Sequence, residues 1–396
     1  MKITEVRTYN HEDFPNLLQV EVCTDAGITG TGESYYFGSS IAFFIEEFLG
    51  PAIVGEDPLD HEAIAQKMQT YVGYNGSGIE TRGRSAIDIA IWDIKAQSAN
   101  QPLYQYLGGK PGKDIEFYNT CAGRGYMRKS NQSRKSWGID QDSDELEDLK
   151  AFLTNADDLA ENLLSEGITG MKIWPLDIYA EKNNGQDISK EDLHAGLEPF
   201  RKIRERVGKK MEIMLELHGL WSPLAAKKIF DAVKEFDLFW VEDPIYPDLV
   251  DELSILRGQG MPRIAHGETV ASQTRVNQLC DRGLIDVLTL DLGWCGGFTQ
   301  ALKMVEKTKE TGVKIAPHDC TGPIGLIAGL HLSLASENAL IQETVRASLR
   351  TWYPHVVTNL PTLSGNRISL GQETGLGTSL QKDFIESKQM KRLSTK

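Results

Sequence analysis

Four acidic residues and one histidine recur at nearly even spacing through the second half of the chain. Glu216, Glu242 and Glu268 are spaced 26 residues apart, Asp291 follows after 23, and His318 after another 27. Each stands at the end of a short apolar run: MEIMLEL, LFWVED, RIAHGE, IDVLTLD and VKIAPHD. Because about 25 residues make one strand and one helix, the spacing predicts one functional group per strand end at the same rim of a (β/α) barrel.

The three glutamates are the predicted ligands of Mg²⁺. Hard cations prefer carboxylate oxygens, and a shared cation explains why three carboxylates coexist at one rim. The alternative is three unrelated surface or helix-capping glutamates, which the equal spacing at apolar strand ends disfavours. A zinc site is disfavoured because no cluster of cysteine and histidine accompanies them.

Two histidines are candidates for proton transfer. His318 is predicted to be a general base, and Asp291 the carboxylate that orients it. A carboxylate on one ring nitrogen of a histidine fixes the tautomer and raises the basicity of the other nitrogen. His218 follows Glu216 by two residues, so strand alternation predicts that it faces the same site, as a general acid for a leaving hydroxyl. The alternative for His318 is a core histidine satisfied by a backbone carbonyl, and the alternative for His218 is a histidine that only packs beside or supports the site residues.

The second and eighth predicted strands add three candidates. Lys172 in GMKIWP is predicted to bind an anion or stabilise charge, with a rim salt bridge as the alternative. Trp174 should face the same way and offers substrate only a wall or an N–H donor. Glu343, following strand eight in LIQET, is predicted to hydrogen-bond a substrate carboxylate, with a strand-end carboxylate free of substrate as the alternative.

Aromatic and glycine-rich stretches near the start of the chain predict loops over the barrel mouth. They are ESYYFGSS at 33–40 and VGYNGSG at 72–78, in which Tyr36 and Tyr74 are predicted to contact substrate. Ordinary exposed loops are the alternative. The polar stretch 127–150 is predicted to be either a lid or a solvated insertion.

The elements around these residues predict an α/β fold, a modified TIM (β/α) barrel with an α+β capping domain. Strand-like alternation over 1–34 is followed by helical patterns, and eight alternating strand candidates come next. An open doubly wound sheet is the competitor, but it would not place a site residue at five strand ends. The predicted domains are 1–112 (cap), 113–355 (barrel) and 356–396 (a tail returning to the cap). The strand candidates are 115–121, 170–174, 211–217, 237–241, 262–267, 285–290, 313–317 and 339–342.

Composition narrows the class of protein further. The 396 residues are 40% apolar and 25% charged, and the net charge of −14 argues against a nucleic-acid surface. We expect no membrane span and no signal peptide, since the polar start lacks an apolar core. Five scattered cysteines without a CxxC pair predict a reduced, cytoplasmic protein without structural disulfides.

Five short motifs resemble the mandelate racemase-like group of the enolase superfamily, in the mandelate racemase/muconate lactonizing enzyme family. They are ELH at 216–218, WVEDP at 240–244, HGE at 266–268, DLGWCGG at 291–297 and APHD at 316–319. The resemblance covers essentially the whole chain. It implies Mg²⁺ on the three glutamates, the dyad of His318 and Asp291 as the base, and a homo-oligomer.

The chain departs from that family pattern at two positions. Glu216 stands where an aspartate is more common, and the usual Lys-x-Lys of strand two is Lys172-Ile173-Trp174. In the racemases the second lysine is the base on the opposite face, so the resemblance implies impaired two-base proton transfer here. The Glu-x-His of strand three is similar to acid-sugar dehydratases, in which that histidine expels the β-hydroxyl.

The expected function is therefore that of a Mg²⁺-dependent acid-sugar dehydratase. It would remove the proton α to a carboxylate, form a metal-stabilised enediolate and eliminate water, converting an aldonate or aldarate to a 2-keto-3-deoxy acid. A cycloisomerase or a racemase/epimerase using the same chemistry is the first alternative. A non-catalytic barrel that binds metal or a partner protein is the alternative of another class.

Overall fold

Two sheets organise the chain in the computed structural model, which describes residues 1–69, 76–128, 137–139, 146–258 and 260–396. The strands are β1 Ile3–His11, β2 Leu17–Thr24, β3 Thr29–Tyr35, β4 Asp114–Thr120, β5 Gly170–Ile173, β6 Glu212–Glu216, β7 Trp240–Glu242, β8 Ile264–His266, β9 Val287–Leu288, β10 Lys314–Ile315, β11 Gln342–Thr344, β12 Thr362–Ser364, β13 Arg367–Ser369 and β14 Met390–Thr395.

Helices connect and cover these strands. They are α1 Gly38–Phe44, α2 Gly50–Ile53, α3 His61–Lys67, α4 Ile79–Ser98, α5 Leu103–Tyr106, α6 Asp148–Thr154, α7 Ala156–Ser165, α8 Asp177–Ala180, α9 Lys190–Gly196, α10 Glu198–Val207, α11 Pro223–Val233, α12 Val250–Leu253, α13 Gln273–Asp281, α14 Leu292–Cys295, α15 Gly297–Thr311, α16 Pro323–Ala335, α17 Arg346–Thr351, α18 Tyr353–Val356 and α19 Lys382–Ile385. A π-helical turn covers Ile45–Leu49, and 3₁₀ turns cover Gly208–Lys210, Lys234–Phe236 and Ser254–Leu256. Among the described residues, no helix is both long enough and apolar enough to span a membrane.

The first sheet is the capping domain, with antiparallel strands in the order β14-β1-β2-β3. Alternating apolar residues such as Val20 and Val22 face the long helix α4 and form a separate core with it. A Cβ at Gly32 of β3 would lie 1.8 Å from the carbonyl oxygen of Ala86 on that helix. Glycine at this position therefore allows the helix to lie directly on the sheet.

The second sheet is a closed barrel of parallel strands, β4 to β11, so the predicted barrel is confirmed. Consecutive strands pair from β4 through β10, β11 pairs with β4, and a bridge between Ile315 and Ala339 completes the ring. Inward-facing side chains fill the space beneath the rim, as expected for a barrel of this size. They are Tyr118, Met214, Trp240, Ala265, Val287, Ala316 and Ile341.

The C-terminal tail differs partly from the prediction. Its last strand, β14, does join the capping sheet beside β1. The hairpin β12–β13 does not, because β13 pairs antiparallel with β4 and so extends the first barrel strand. Of the predicted lid or insertion at 127–150, residues 129–136 and 140–145 lie outside the described residues, and α6 already begins at Asp148.

Buried polar contacts join the cap to the barrel rim. On α4, Asp88 accepts hydrogen bonds from the backbone N–H (2.9 Å) and hydroxyl (2.5 Å) of Thr299. On β3, Glu33 accepts from the N–H of Gly325 at the start of α16 (2.9 Å), and Ser34 donates to the Gly293 carbonyl (2.7 Å). These hydrogen bonds hold the cap against the carboxyl ends of the barrel strands.

Candidate active site

Glu216, Glu242 and Glu268 meet at the rim as predicted. Glu216 and Glu242 end neighbouring strands in register, and Glu268 lies just past the end of β8. One carboxylate oxygen of each lies within 4.8 Å of the others, and all three side chains are buried. Parallel pairing of consecutive strands brings these residues together, which is why the even spacing along the chain was informative.

Lys172 lies inside this cluster, not at its rim. Its Nζ is 3.0 Å from Glu242 Oε2, 3.5 Å from Glu216 Oε2 and 2.8 Å from Glu343 Oε1. Burial opposes the ammonium charge, but Glu242 and Glu343 outweigh it and hold the pKa of Lys172 well above its usual value. The buried cation therefore compensates part of the clustered negative charge.

Glu343 lies within strand β11, not after it as the sequence predicted. Its Oε2 accepts a hydrogen bond from the N–H of Asp319 (3.0 Å), and the Thr120 hydroxyl donates to Oε1. Burial favours the neutral acid, but Lys172 and His318 outweigh it and lower the pKa of Glu343. Contact of Glu343 with a substrate carboxylate stays a prediction.

The donor set fits a hard divalent cation. Within the described part of the chain, no hydrogen bond reaches the buried atoms Glu216 Oε2 and Glu242 Oε1. Burial and the neighbouring carboxylates raise the pKa of Glu216 to about 7 and that of Glu242 to about 8. Carboxylate oxygens that lack donors and repel one another are what such a cation would stabilise.

His318 and Asp291 form the predicted dyad. His318 Nδ1 is 2.8 Å from Asp291 Oδ2, whose other oxygen accepts a hydrogen bond from the N–H of Gly293 (2.7 Å). His318 Nε2 lies 3.3 Å from Glu268 Oε2, so this nitrogen faces the carboxylate cluster. Burial opposes the imidazolium, but Glu268, Glu343 and Asp291 together raise the pKa of His318 well above its usual value.

His218 also lies beside the cluster, although the reasoning that predicted it was wrong. Strand β6 ends at Glu216, and His218 has a left-handed backbone with φ 49°, so strand alternation does not orient it. Its backbone N–H donates to Glu216 Oε1 (2.6 Å), and its Nδ1 lies 2.7 Å from Asp177 Oδ2. Although burial opposes its charged form, Asp177 and Glu216 raise the pKa of His218 to about 10.

Trp174 packs behind His218 with its side chain buried. The indole packs edge-on against the His218 ring, with the ring centroids 5.9 Å apart. It also belongs to an aromatic cluster with Tyr126 and Phe152. Its Nε1 has no hydrogen-bond acceptor among the described residues. Trp174 therefore packs against His218, and direct contact of Trp174 with substrate stays a prediction.

The cap contributes Tyr36 above the dyad. The Tyr36 ring lies 5.5 Å from Trp294, which in turn lies 5.1 Å from the ring of His318. Contact of Tyr36 with substrate stays a prediction, and Tyr74 lies outside the described residues.

Sequence reasoning missed Asp177, Arg82 and Asp243. Asp177 starts the short helix after β5, and Arg82 reaches the site from α4. Asp243 directly follows Glu242 and accepts a hydrogen bond from the N–H of Gly267 (3.0 Å), the residue before Glu268. A position directly beyond a barrel strand was a usable signal for Asp243. Asp177 lies farther along the chain from its strand, at the start of α8, and nothing in the helical pattern around Arg82 distinguishes that residue.

A capping domain over a barrel that carries acidic residues at successive strand ends defines a barrel enzyme of the enolase type. Residues 8–108 match the mandelate racemase/muconate lactonizing enzyme N-terminal domain, and residues 155–384 match the enolase C-terminal domain-like family. The chain belongs to the mandelate racemase/muconate lactonizing enzyme family of the enolase superfamily.

Individual relatives agree with this assignment over most of their length. An enolase of the mandelate racemase subgroup from Agrobacterium tumefaciens is 39% identical, with a TM-score of 0.88 over 100% of this chain and 99% of its own. An enolase protein from Sargasso Sea environmental sequencing is 35% identical, with a TM-score of 0.88 over 100% and 98%. The D-xylonate dehydratase of Haloferax volcanii is 25% identical over 98% of this chain and 88% of its own.

Proposed function

We propose that the protein is a Mg²⁺-dependent acid-sugar dehydratase that converts an aldonate or aldarate to a 2-keto-3-deoxy acid. The observation that carries the proposal is the pair of histidines at opposite ends of the ligand cluster. His318 lies beside Glu268, and His218 lies beside Glu216. A base and an acid on two sides of one substrate are what β-elimination of water requires.

Glu216, Glu242 and Glu268 would hold the cation. When bound, Mg²⁺ supplies positive charge that offsets the three carboxylates and stabilises the negative charge that develops on the substrate carboxylate. Lys172 supplies further fixed positive charge from below, through its contacts with Glu242 and Glu343. The substrate carboxylate is oriented at this end of the site. A hydrogen bond from Glu343 to it requires Glu343 as the protonated acid, because an ionised carboxylate only accepts.

His318 Nε2 takes the α-proton, and Asp291 keeps Nδ1 protonated so that the other nitrogen faces the substrate. His218 gives a proton to the β-hydroxyl as the Cβ–O bond breaks and the bonding electron pair leaves with the water. The enol that remains takes a proton at Cβ and becomes the 2-keto acid. Trp174, where a lysine would serve as a second base, cannot accept a proton, which favours elimination over racemisation.

The similarity to D-xylonate dehydratase supports the same substrate class, a polyhydroxylated monocarboxylate or its dicarboxylate counterpart. The proposal includes a homo-oligomer, as the family resemblance implies, and a cytoplasmic location, as the scattered cysteines without a CxxC pair indicate.

The test is a library of pentonates, hexonates and aldarates incubated with the Mg²⁺-loaded protein in D₂O. Loss of one water with formation of a keto-deoxy acid, read by mass spectrometry and NMR, is the expected result. Deuterium at the α-carbon without loss of water would instead indicate an epimerase, and isomerisation of a supplied lactone would indicate a cycloisomerase. If no library member shows either solvent exchange or product, that result would count against catalysis of this kind.

A further inference from the structure

A second carboxylate–histidine pair stands across the site from the His318 dyad. Asp177 opens the short helix α8 in the connection after β5, and His218 lies in the turn after β6. Their side chains meet with His218 Nδ1 2.7 Å from Asp177 Oδ2. The Asp177 side chain is 7% exposed, whereas the His218 side chain is 29% exposed, so the carboxylate is the inner member of the pair.

The two pairs share one geometry. In each, a buried aspartate contacts Nδ1, at 2.8 Å for His318 and 2.7 Å for His218. His318 adjoins the glutamate cluster through its ring Nε2, which is 3.3 Å from Glu268, whereas His218 adjoins Glu216 through its backbone N–H. A carboxylate on Nδ1 selects the tautomer that carries its proton there and leaves Nε2 for the reaction.

Two further contacts hold the His218 ring in place. The edge-on contact with the buried Trp174 limits rotation of the ring. The other oxygen of Asp177, Oδ1, is buried and has no hydrogen-bond donor among the described residues. His218 is therefore the main partner of this carboxylate. Separating the two side chains would leave a buried charge without a partner, which is energetically costly.

We propose that Asp177 is the positioning residue of His218 in the elimination step, an inference that rests on the dehydratase function proposed above. Asp177 accepts the Nδ1–H hydrogen bond throughout. The proton on Nε2 passes to the departing β-hydroxyl as the Cβ–O bond breaks, and His218 is left neutral with its remaining proton on Nδ1. Because the α-proton leaves to His318 on the other side, Asp177 affects the loss of water and not the exchange of the α-proton.

The first test compares Asp177→Asn with the wild-type protein, loaded with Mg²⁺, on the substrate found in the library. We expect dehydration to fall about 100-fold, since a positioned acid contributes on the order of 10²–10⁴-fold. We expect α-proton exchange in D₂O to stay within about twofold of wild type. The matched control is Asp187→Asn, an exposed carboxylate in the same β5–β6 connection that pairs with Lys228, and it should dehydrate normally.

A double-mutant cycle separates positioning from a general loss of structure. If Asp177 acts through His218, adding Asp177→Asn to a His218→Gln protein should slow dehydration no further, because coupled residues are not additive. Independent losses that multiply would overturn the proposal. Asp177→Glu, which keeps the carboxylate, should recover part of the rate that Asp177→Asn loses.

A readout independent of turnover is the side-chain NMR spectrum of the ¹⁵N-histidine-labelled protein, with His218→Gln to assign the signal. We expect a strongly hydrogen-bonded Nδ1 proton in the wild type that is lost in Asp177→Asn and kept in Asp187→Asn. Persistence of this proton in Asp177→Asn would overturn the pairing. A wild-type protein that exchanges the α-proton but expels no water would overturn the dehydratase function itself, whereas normal dehydration by Asp177→Asn would overturn only the role of Asp177.

Discussion

The guanidinium of Arg82 stacks over the indole of Trp294, with Cζ 4.3 Å from the ring centroid. Arg82 belongs to the cap helix α4, and Trp294 belongs to α14 at the barrel rim. Two hydrogen bonds fix the guanidinium, one to the Tyr35 carbonyl (2.6 Å) and one to the Ser77 carbonyl (3.1 Å). Because Trp294 also packs on His318, the cap supports the ring of the base.

Replacing Arg82 by glutamine should therefore slow removal of the α-proton. A buried cation–π contact is worth about 1–2 kcal/mol, so we expect a loss of about tenfold. The measurement is α-deuterium incorporation in D₂O, with thermal unfolding recorded in parallel. The control is Arg84→Gln on the same helix, whose guanidinium donates to Thr81. An equal loss of exchange in both variants would mean that the effect comes from a general change in helix α4 and not from the stacking of Arg82 on Trp294.

The two histidines should separate the two half-reactions. His318→Asn removes the base, so both α-proton exchange and dehydration should fall by about 10²-fold or more. His218→Asn should keep exchange and lose dehydration. NMR in D₂O follows the α-proton, and a keto-acid assay follows the product. Exchange that survives in His318→Asn would refute its assignment as the base, and undiminished dehydration by His218→Asn would refute the acid.

Lys172→Met should destabilise the protein most when no divalent cation is present. The substitution leaves Glu242 and Glu343 buried without their cation, at a cost of about 3–5 kcal/mol. Added Mg²⁺ should restore part of this stability, because a ligand that binds only the folded state stabilises it. Thermal unfolding with Mg²⁺ and with chelator measures the difference, and Lys314→Met, at an exposed lysine of β10, is the control. The same loss under both conditions would argue against a shared site for Lys172 and the metal.

His331 predicts an acid-sensitive step in stability. It is buried on α16, where the Tyr104 N–H donates to its Nδ1 (3.0 Å) and its Nε2 bonds the Leu376 carbonyl (3.1 Å). Burial lowers the pKa of His331 to about 4. Because the unfolded chain takes up this proton near pH 6.5 and the folded chain does not, the stability contribution is present above about pH 6.5 and lost as the pH falls towards 4.

His331→Asn should remove this dependence. Between pH 7 and pH 4 the difference in unfolding free energy between wild type and variant should change by roughly 3 kcal/mol, measured by denaturant unfolding. His194→Asn, at an exposed histidine, should leave the wild-type profile unchanged. A His331→Asn protein that loses stability as steeply as wild type in acid would rule out this origin.

The sequence predicted the barrel and the grouping of three glutamates at its rim because both follow from periodicity. A repeat of one strand and one helix fixes which end of the barrel each strand end reaches, so Glu216, Glu242 and Glu268 could be grouped without coordinates. The pair of Asp291 and His318 followed in the same way, since these residues lie just past the ends of the neighbouring strands β9 and β10.

Contacts made by loops and by the cap were not predictable in the same way. The partner of His218 depends on a left-handed turn and on the start of α8, and neither has a periodic signal. Arg82 reaches the site only because α4 lies closely on β3. Lys172 was predicted to bind an anion or stabilise charge, and its place among three carboxylates depends on side-chain packing, which spacing along the chain does not encode.

The pairing of β14 with β1 has a consequence for the order in which the protein can mature. These strands lie at opposite ends of the sequence, with Val6 beside Thr395. At about 5–20 residues per second, a ribosome releases β1 tens of seconds before β14. Until then the edge of β1 is an unpaired template for other strands. The cap is thus the first sheet to be synthesised and the last to be completed. In a nascent chain the edge of β1 must stay free of other strands while the barrel is made, until β14 can pair with it.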